Sequence, residues 1–274
     1  MDYLQIVSEV IEEHKKSPVD MLGAGLNEVE YTYLKILHKS YNRTIRDINA
    51  FVPKGANILE IGSFLGVVSV SLKRCGYNIS AMDIPEFYRS ESLRNLYERN
   101  NIPFTGLNLR KNSLPYTSGS FDAVIICEVI EHLNFNPLPM LKEINRVLKN
   151  NGHIYIGMPN QASLDNRLKL IKGISIHNPI EDYFKQLDKK HNMIVGLHWR
   201  EYTMYETIDM LKRMGFETVQ KYYFRGERMP KSLPNRLIKS TLFKLFPDLL
   251  PYQTVIAKKI SEPVYDFWLT DANT

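Results

Sequence analysis

The octapeptide "CEVIEHLN" at residues 127–134 puts Glu128, Glu131 and His132 within five positions. Two carboxylates and an imidazole this close can hold a divalent cation, act as acid and base, or line the entrance of a helix. At spacings i, i+3 and i+4 they share one helical face. A second stretch, "ILEIGSFLG" at 58–66, reads as a buried strand entering a turn with Gly62 and Gly66, followed by a helix. Glycines in such a turn let the backbone approach a ligand closely. Asp83 ends the next strand and follows Gly62 by 21 positions. Nucleotide-binding βαβ units place a ribose-binding acid at about that separation, so the pair points to an adenosine-containing ligand. The G-x-G-x-x-G pattern of a dinucleotide site is absent, and the acid Glu60 precedes the turn. An anionic group there suits a cationic ligand, an ammonium or a sulfonium, better than a pyrophosphate.

These residues need a scaffold, and the hydrophobic pattern describes one. Residues 1–50 carry apolar side chains at helical spacing, and "VPKGAN" ends that region. Strands are expected at "NILEIG", "NISAMD", "FTGLNL", "FDAVIIC" and "HIYIGMPN". Helices are expected at "VVSVSLKRCG", "RSESLRNLYERN" and "PLPMLKEINRVLKNNG", the last closed by Gly152 at its C′ position. Alternating strands and helices imply an α/β fold with a mostly parallel sheet. Residues 161–198 hold two possible helices and no clear strand, too long for an ordinary connection, and read as a lid or substrate-binding insertion. A helix at "TMYETIDMLKRMGF" and strands at "ETVQKYYF" and "YQTVIAKKI" complete the pattern. The expected organisation is an N-terminal helical cap over 1–52, a main domain over 53–260 with a second insertion at 227–251, and a tail over 261–274.

Composition narrows the partners. The 274 residues are 44% hydrophobic and 24% charged, with a net charge of +5 spread along the chain. That argues against a dedicated nucleic-acid binder. Cys75 and Cys127 are the two cysteines and form no C-x-x-C pair, which fits a reducing compartment. The charged start "MDYLQIVSEVIEEHKKS" lacks the apolar core of a signal peptide, and no apolar run is long enough to span a membrane. The expected location is the cytoplasm. "RLIKSTLFKLF" at 236–246 mixes apolar and basic residues and leaves room for peripheral membrane contact, with packing on its own domain the preferred role. "DNRLKLIKG" at 165–173 is read as a solvated helix face. Oligomeric state has no signature in the letters.

Four segments in order, "ILEIGSFLG", the acid of "SAMDIPE", "LPYTSGSFDAVIICEVIEHL" and "LKEINRVLKNNGHIYIGMPN", resemble the class I S-adenosylmethionine-dependent methyltransferases with a Rossmann-like fold. The string LP-aromatic…SFD…EHL resembles one broad branch of them, as does "LHWREYTMYETIDMLKRMGFE" further on. The resemblance implies that Glu60, Gly62, Ser63 and Gly66 surround the methionine end of S-adenosylmethionine. It implies that Asp83 binds the ribose, that Ile84, Asn108 and Leu109 flank the adenine, and that Cys127 and Glu128 floor the site near the sulfonium. Two departures stand out: Phe64 occupies a usual glycine position, and Asn108 a position where an acid is common.

Three roles for "EVIEHL" follow. In the first, which takes precedence, no metal binds: Glu128 touches the cofactor, Glu131 caps or ion-pairs, and His132 packs near the mouth. In the second, the string resembles small-RNA 2′-O-methyltransferases and some ubiquinone-pathway O-methyltransferases, and Glu128, Glu131, His132 and the distant His198 hold Mg²⁺ or Mn²⁺. In the third, His132 or His198 is a metal-free general base. The expected activity is O-methylation of a small-molecule, glycan or lipid-linked acceptor. A metal-assisted RNA 2′-O-methyltransferase is the alternative, and a non-catalytic binding domain, suggested by Phe64, the second alternative.

Overall fold

The computed structural model describes residues 3–16, 27–110, 113–187, 196–225 and 241–264, without the side chains of 27–30. Its centre is a seven-stranded sheet of β1 (Asn57–Ile61), β2 (Asn78–Asp83), β3 (Phe104–Gly106), β4 (Phe121–Cys127), β5 (Leu148–Pro159), β6 (Phe216–Phe224) and β7 (Tyr252–Lys259), in the order β3-β2-β1-β4-β5-β7-β6. The first five strands run parallel, and β7 is antiparallel to both β5 and β6. The helices are α1 (Tyr3–Lys16), α2 (Asn27–Ile36), α3 (His38–Phe51), α4 (Val67–Arg74), α5 (Pro85–Tyr88), α6 (Glu91–Arg99), α7 (Leu138–Val147), α8 (Leu164–Ile171), α9 (Ile180–Leu187) and α10 (Met204–Arg213).

The central strands read as unbroken apolar runs because both of their faces are covered. In β4, Ala123 and Ile125 join the core on one side, while Val124 and Ile126 join the core on the other. The first core is closed by α1, α3, α4 and α6 through Val10, Ile45, Val70 and Leu93, and the second by α7 and α10 through Leu141, Ile144 and Leu211. The N-terminal helices therefore form part of the domain's own core. The buried His14 ties α1 to the β1–α4 loop, its Nε2–H donating to the Leu65 carbonyl at 2.6 Å.

The expected α/β architecture is present, with the antiparallel pair at the C-terminal edge. One boundary is corrected. The helix of "PLPMLKEINRVLKNNG" ends at Val147, and Gly152 is not its C′ residue. Leu148, 1% exposed, turns to extended backbone and pairs with Phe121, so the chain enters β5 at once, through an irregularity in the β4–β5 register. Gly152 serves close packing instead: a Cβ there would lie 2.9 Å from the Lys149 carbonyl oxygen. Helices α8 and α9 occupy the expected 161–198 insertion, of which 188–195 lie outside the described residues. So do 226–240, which contain most of the second insertion and the start of "RLIKSTLFKLF", and 265–274 of the tail. Among the described residues no helix is long and apolar enough to cross a membrane.

Candidate functional site

The strand order reverses direction between β1 and β4, and open α/β sheets bind ligands at the carboxyl ends of the strands at that switch point. The loop after β1 is built for close approach there. Gly62 has φ +75°, and a Cβ on it would fall 2.1 Å from Val129 Cγ2, so only glycine lets this loop touch the turn after β4. The Gly62 and Ser63 N–H groups both donate to the Met82 carbonyl, at 2.9 and 3.1 Å. Phe64 N–H donates to Asp83 Oδ2 at 2.7 Å, and Ile84 N–H to Asp83 Oδ1 at 2.8 Å. Asp83 thus fixes the loop while each oxygen keeps lone pairs for a further donor. Phe64 has φ +44°, the left-handed conformation a glycine takes freely, and its ring lies between Tyr33 and Phe87 at centroid distances of 5.9 and 5.8 Å.

The acids here are buried without basic partners among the described residues. Glu60 is 6% exposed, and its carboxylate accepts from Ser69 Oγ of α4. Burial raises Glu60 to about 8, Ser69 opposing and the Asp83 charge adding. Asp83 is raised by burial to about 6, against the bonds from the Ile84 and Phe64 N–H groups. The Tyr41 phenol of α3, close enough to feel the charges of Glu60 and Glu128, is pushed well above its ordinary value by burial first. Carboxyls held this way favour a bound cation, which would restore their ionised form.

The turn after β4 departs from the expected helical face. Glu128 takes φ +54° and donates its N–H to the Gly157 carbonyl of β5 at 2.8 Å. This diverts the chain, and a single 3₁₀ turn, Ile130–His132, follows in place of a helix. Glu128 therefore does not stand in register with Glu131 and His132. Its side chain is exposed to water, which screens it, while surrounding protein and the Glu201 charge still push its carboxyl upward. Glu131 is fully buried, and among the described residues neither carboxyl oxygen has a hydrogen-bond partner. Burial, with the charge of Glu128 adding to it, holds Glu131 well above the usual carboxylate range.

The chain returns to this turn 66 positions later. Trp199 N–H donates to the Glu131 carbonyl at 2.7 Å, and His132 Nδ1–H donates to the Leu197 carbonyl at 2.9 Å. These bonds bring the His198 ring to 4.8 Å from the His132 ring, edge to face. His198 Nδ1–H donates to Glu201 Oε1 at 2.9 Å. Each ring is thereby left with Nε2, and His132 Nε2 lies 4.0 Å from Glu131 Oε1. Glu131, His132 and His198 each offer a ligand atom within 4.8 Å of the others. Burial lowers His132, against its bond to Leu197, with His198 adding to the effect, which favours the neutral imidazole.

Of the residues singled out in the sequence, Glu60, Gly62, Ser63, Gly66, Asp83, Ile84, Cys127 and Glu128 lie at the carboxyl ends of β1, β2 and β4 or in the loops that follow. Asn108 and Leu109 follow β3; Asn108 is exposed and accepts from Arg110 N–H, and Leu109 packs against the second core. Four residues of consequence have no motif. Tyr97 donates to Ser63 Oγ at 2.7 Å, Ser69 holds Glu60, Tyr41 overhangs the acids, and Glu201 orients His198. Only Glu201 has a spacing signal, three positions after His198.

Comparison with known proteins agrees with this geometry. Residues 59–156 match the methyltransferase domain family. A ubiquinone biosynthesis O-methyltransferase of Xanthomonas oryzae pv. oryzae is 29% identical over 109 residues, 39% of this chain and 45% of that one. The match thus spans less than half the length of that relative. Among solved structures, a chain from the Haloferax volcanii complex between the Trm112 methyltransferase activator and a methyltransferase superposes with a TM-score of 0.57 at 13% identity, covering 83% of this chain and 93% of that one. A SAM-dependent methyltransferase of Methanosarcina mazei gives 0.54 at 18% identity, covering 79% and 98%. With the strand order, the glycine loop and the matched segment in agreement, residues 59–156 form a class I S-adenosylmethionine-dependent methyltransferase domain of Rossmann-like fold.

Proposed function

We propose that the chain transfers the methyl group of S-adenosylmethionine to a hydroxyl oxygen of a small-molecule, glycan or lipid-linked acceptor, beside a divalent cation held by Glu131, His132 and His198. The observation that carries this reading is the Glu131 carboxyl, fully buried with both oxygens unpartnered among the described residues and two imidazoles beside it. A buried carboxylate without a partner is costly, and a cation would supply what the fold withholds. This reverses the order of roles read from the sequence, where the metal-free role stands first. The O-methyltransferase activity for which the Xanthomonas relative is named supports oxygen as the acceptor atom. Exposed Leu170, Ile171, Ile180, Phe184 and Leu187 on α8 and α9 suit an acceptor with an apolar body.

In this reading Asp83 takes the ribose hydroxyls, Ile84, Asn108 and Leu109 flank the adenine, and Gly62, Ser63 and Gly66 admit the methionine part. Glu60, Glu128 and Cys127 lie around the sulfonium. Transfer is an in-line displacement: the carbon–sulfur bond breaks as the carbon–oxygen bond forms, the electron pair returns to sulfur, and the hydroxyl proton passes to solvent water. Positioning supplies much of the rate. The charge that the acids hold disappears on transfer, so the neutral thioether product is held less tightly. Glu131 with two Nε2 atoms, one oxygen and two nitrogen donors, fits Mn²⁺ better than the oxygen-loving Mg²⁺. When bound, such an ion supplies Lewis-acid charge that favours the ionised hydroxyl.

The test is methyl transfer from labelled S-adenosylmethionine to a panel of vicinal-diol and simple hydroxyl acceptors, with EDTA and after Mn²⁺ is restored. The expected result is O-methylated product that EDTA abolishes and Mn²⁺ recovers. Undiminished transfer in EDTA would overturn the cation and leave His132 or His198 as the base. Transfer to amines alone would overturn the oxygen assignment.

A further inference from the structure

We infer that Glu201 is a positioning residue for the Glu131–His132–His198 site and that it ties this site to the insertion after β5; this rests on the cation reading above. Glu201 spans the two with its two carboxyl oxygens. Oε1 accepts from His198 Nδ1–H at 2.9 Å, and Oε2 accepts from Asn166 Nδ2–H at 3.0 Å. Its side chain is only 14% exposed. Asn166 is 9% exposed and sits in the first turn of α8, where the cap residue Ser163 accepts from its N–H and the Gln161 carbonyl accepts from its side chain at 3.1 Å. The insertion holds the histidine a second time, through Asn178 Oδ1, which accepts from His198 N–H at 2.9 Å.

An imidazole attached to a loop can turn about its χ angles and offer either nitrogen. A carboxylate on Nδ1–H removes that choice. It fixes the tautomer, leaves Nε2 for a ligand and raises the ring's donor strength, as outer-sphere carboxylates do for metal-bound histidines. His132 gets the same service from a backbone carbonyl, at Leu197. The difference is that Glu201 is itself held by a side chain of α8. Any shift of α8 on acceptor binding therefore reaches His198 through two hydrogen bonds.

The experiment titrates the full chain with Mn²⁺ alone by calorimetry, and records the visible spectrum of the Co²⁺ form, for wild type, H198A, E201A, E201Q and N166A. Thermal melting and S-adenosylmethionine affinity serve as folding controls. Loss of an outer-sphere partner costs on the order of 10–100-fold in metal affinity, and that loss is expected for E201A, with altered Co²⁺ bands. E201Q, whose amide oxygen still accepts from Nδ1–H while its amide nitrogen faces the Asn166 donor, should lose severalfold, as N166A does, and less than E201A. N166A removes one bond from Glu201 without touching the carboxylate, should lose severalfold, and gives the reading if E201A fails to fold. If H198A loses Mn²⁺ while E201A and N166A bind as wild type does, the role of Glu201 is refuted and the cation reading stands. E201Q falling as far as E201A would also refute it. Equal Mn²⁺ affinity in wild type and H198A would remove the cation reading and this inference together.

Discussion

Gly62→Ala should damage the protein through one identifiable contact, and a second substitution should repair part of the damage. The added Cβ would lie 2.1 Å from Val129 Cγ2, at a backbone φ of +75°. Two costs follow. Holding an L-residue in the left-handed region costs roughly 1–2 kcal/mol. Forcing a methyl into a packed contact costs roughly 1–3 kcal/mol more. The sum, about 2–5 kcal/mol, corresponds to a fall in melting midpoint of roughly 4–20 °C for a domain of this size. Val129→Ala alone removes two methyl carbons from a partly buried side chain, at most about 1.6 kcal/mol. In the double variant the clash is gone, and the left-handed cost remains together with that of truncating Val129. The two changes should therefore couple by about 1–3 kcal/mol in the relieving direction. Urea denaturation of the four proteins measures this. Additivity within about 0.5 kcal/mol would refute the claim that the β1 loop and the β4 turn meet at this pair of residues.

Cofactor affinity should rise with pH. Glu60 sits at about 8 in the free protein, so at pH 7 it is mostly protonated, and a bound sulfonium favours its ionised form. Affinity should then approach tenfold per pH unit between about pH 6 and 8, with proton release seen by calorimetry in two buffers. A flat profile would sink the placement of Glu60 beside the cation. For the free protein the sign is opposite: stability from protonated Glu60 is complete below pH 4.5 and is lost as pH rises through about 8. Asp83→Ala should weaken S-adenosylmethionine binding by roughly 10–100-fold, because it removes the proposed ribose contacts and frees the Phe64 N–H; unchanged binding would remove the ribose assignment.

The parallel sheet was legible because its strands are short apolar runs bounded by turns, and the glycine loop because Gly62, Gly66 and Asp83 keep a spacing set by one βαβ unit. The EVIEHL segment misled for a physical reason. Its periodicity suits a helix, but the bond from Glu128 N–H to Gly157 of β5 decides the backbone, and that partner lies far along the chain. The end of α7 misled in the same way, since the pairing of Leu148 with Phe121 outweighs the invitation of Asn-Asn-Gly to cap a longer helix. Tyr97 and Ser69 stayed hidden because each is one polar residue among many until the fold brings it to Ser63 or Glu60.

Phe64 shows how such a loop survives an unfavourable letter. At φ +44° it lies where non-glycine residues are uncommon, and Glu128, in the turn after β4 at φ +54°, does too. Each position costs on the order of 1 kcal/mol or more. At Phe64 the conformation is over-determined: Asp83 takes its N–H, the Met82 carbonyl takes the two N–H groups before it, and Gly66 closes the turn onto Ser63. The ring meanwhile gains contacts with Tyr33 and Phe87, worth roughly 0.5–1.5 kcal/mol each. Phe64→Gly would thus relieve about 1 kcal/mol of strain but lose about 1–3 kcal/mol of ring contacts and the ring's burial against the first core, a net loss of stability with the backbone path unchanged. What the site requires of this residue is its N–H on Asp83, and that is available to phenylalanine as well as to glycine.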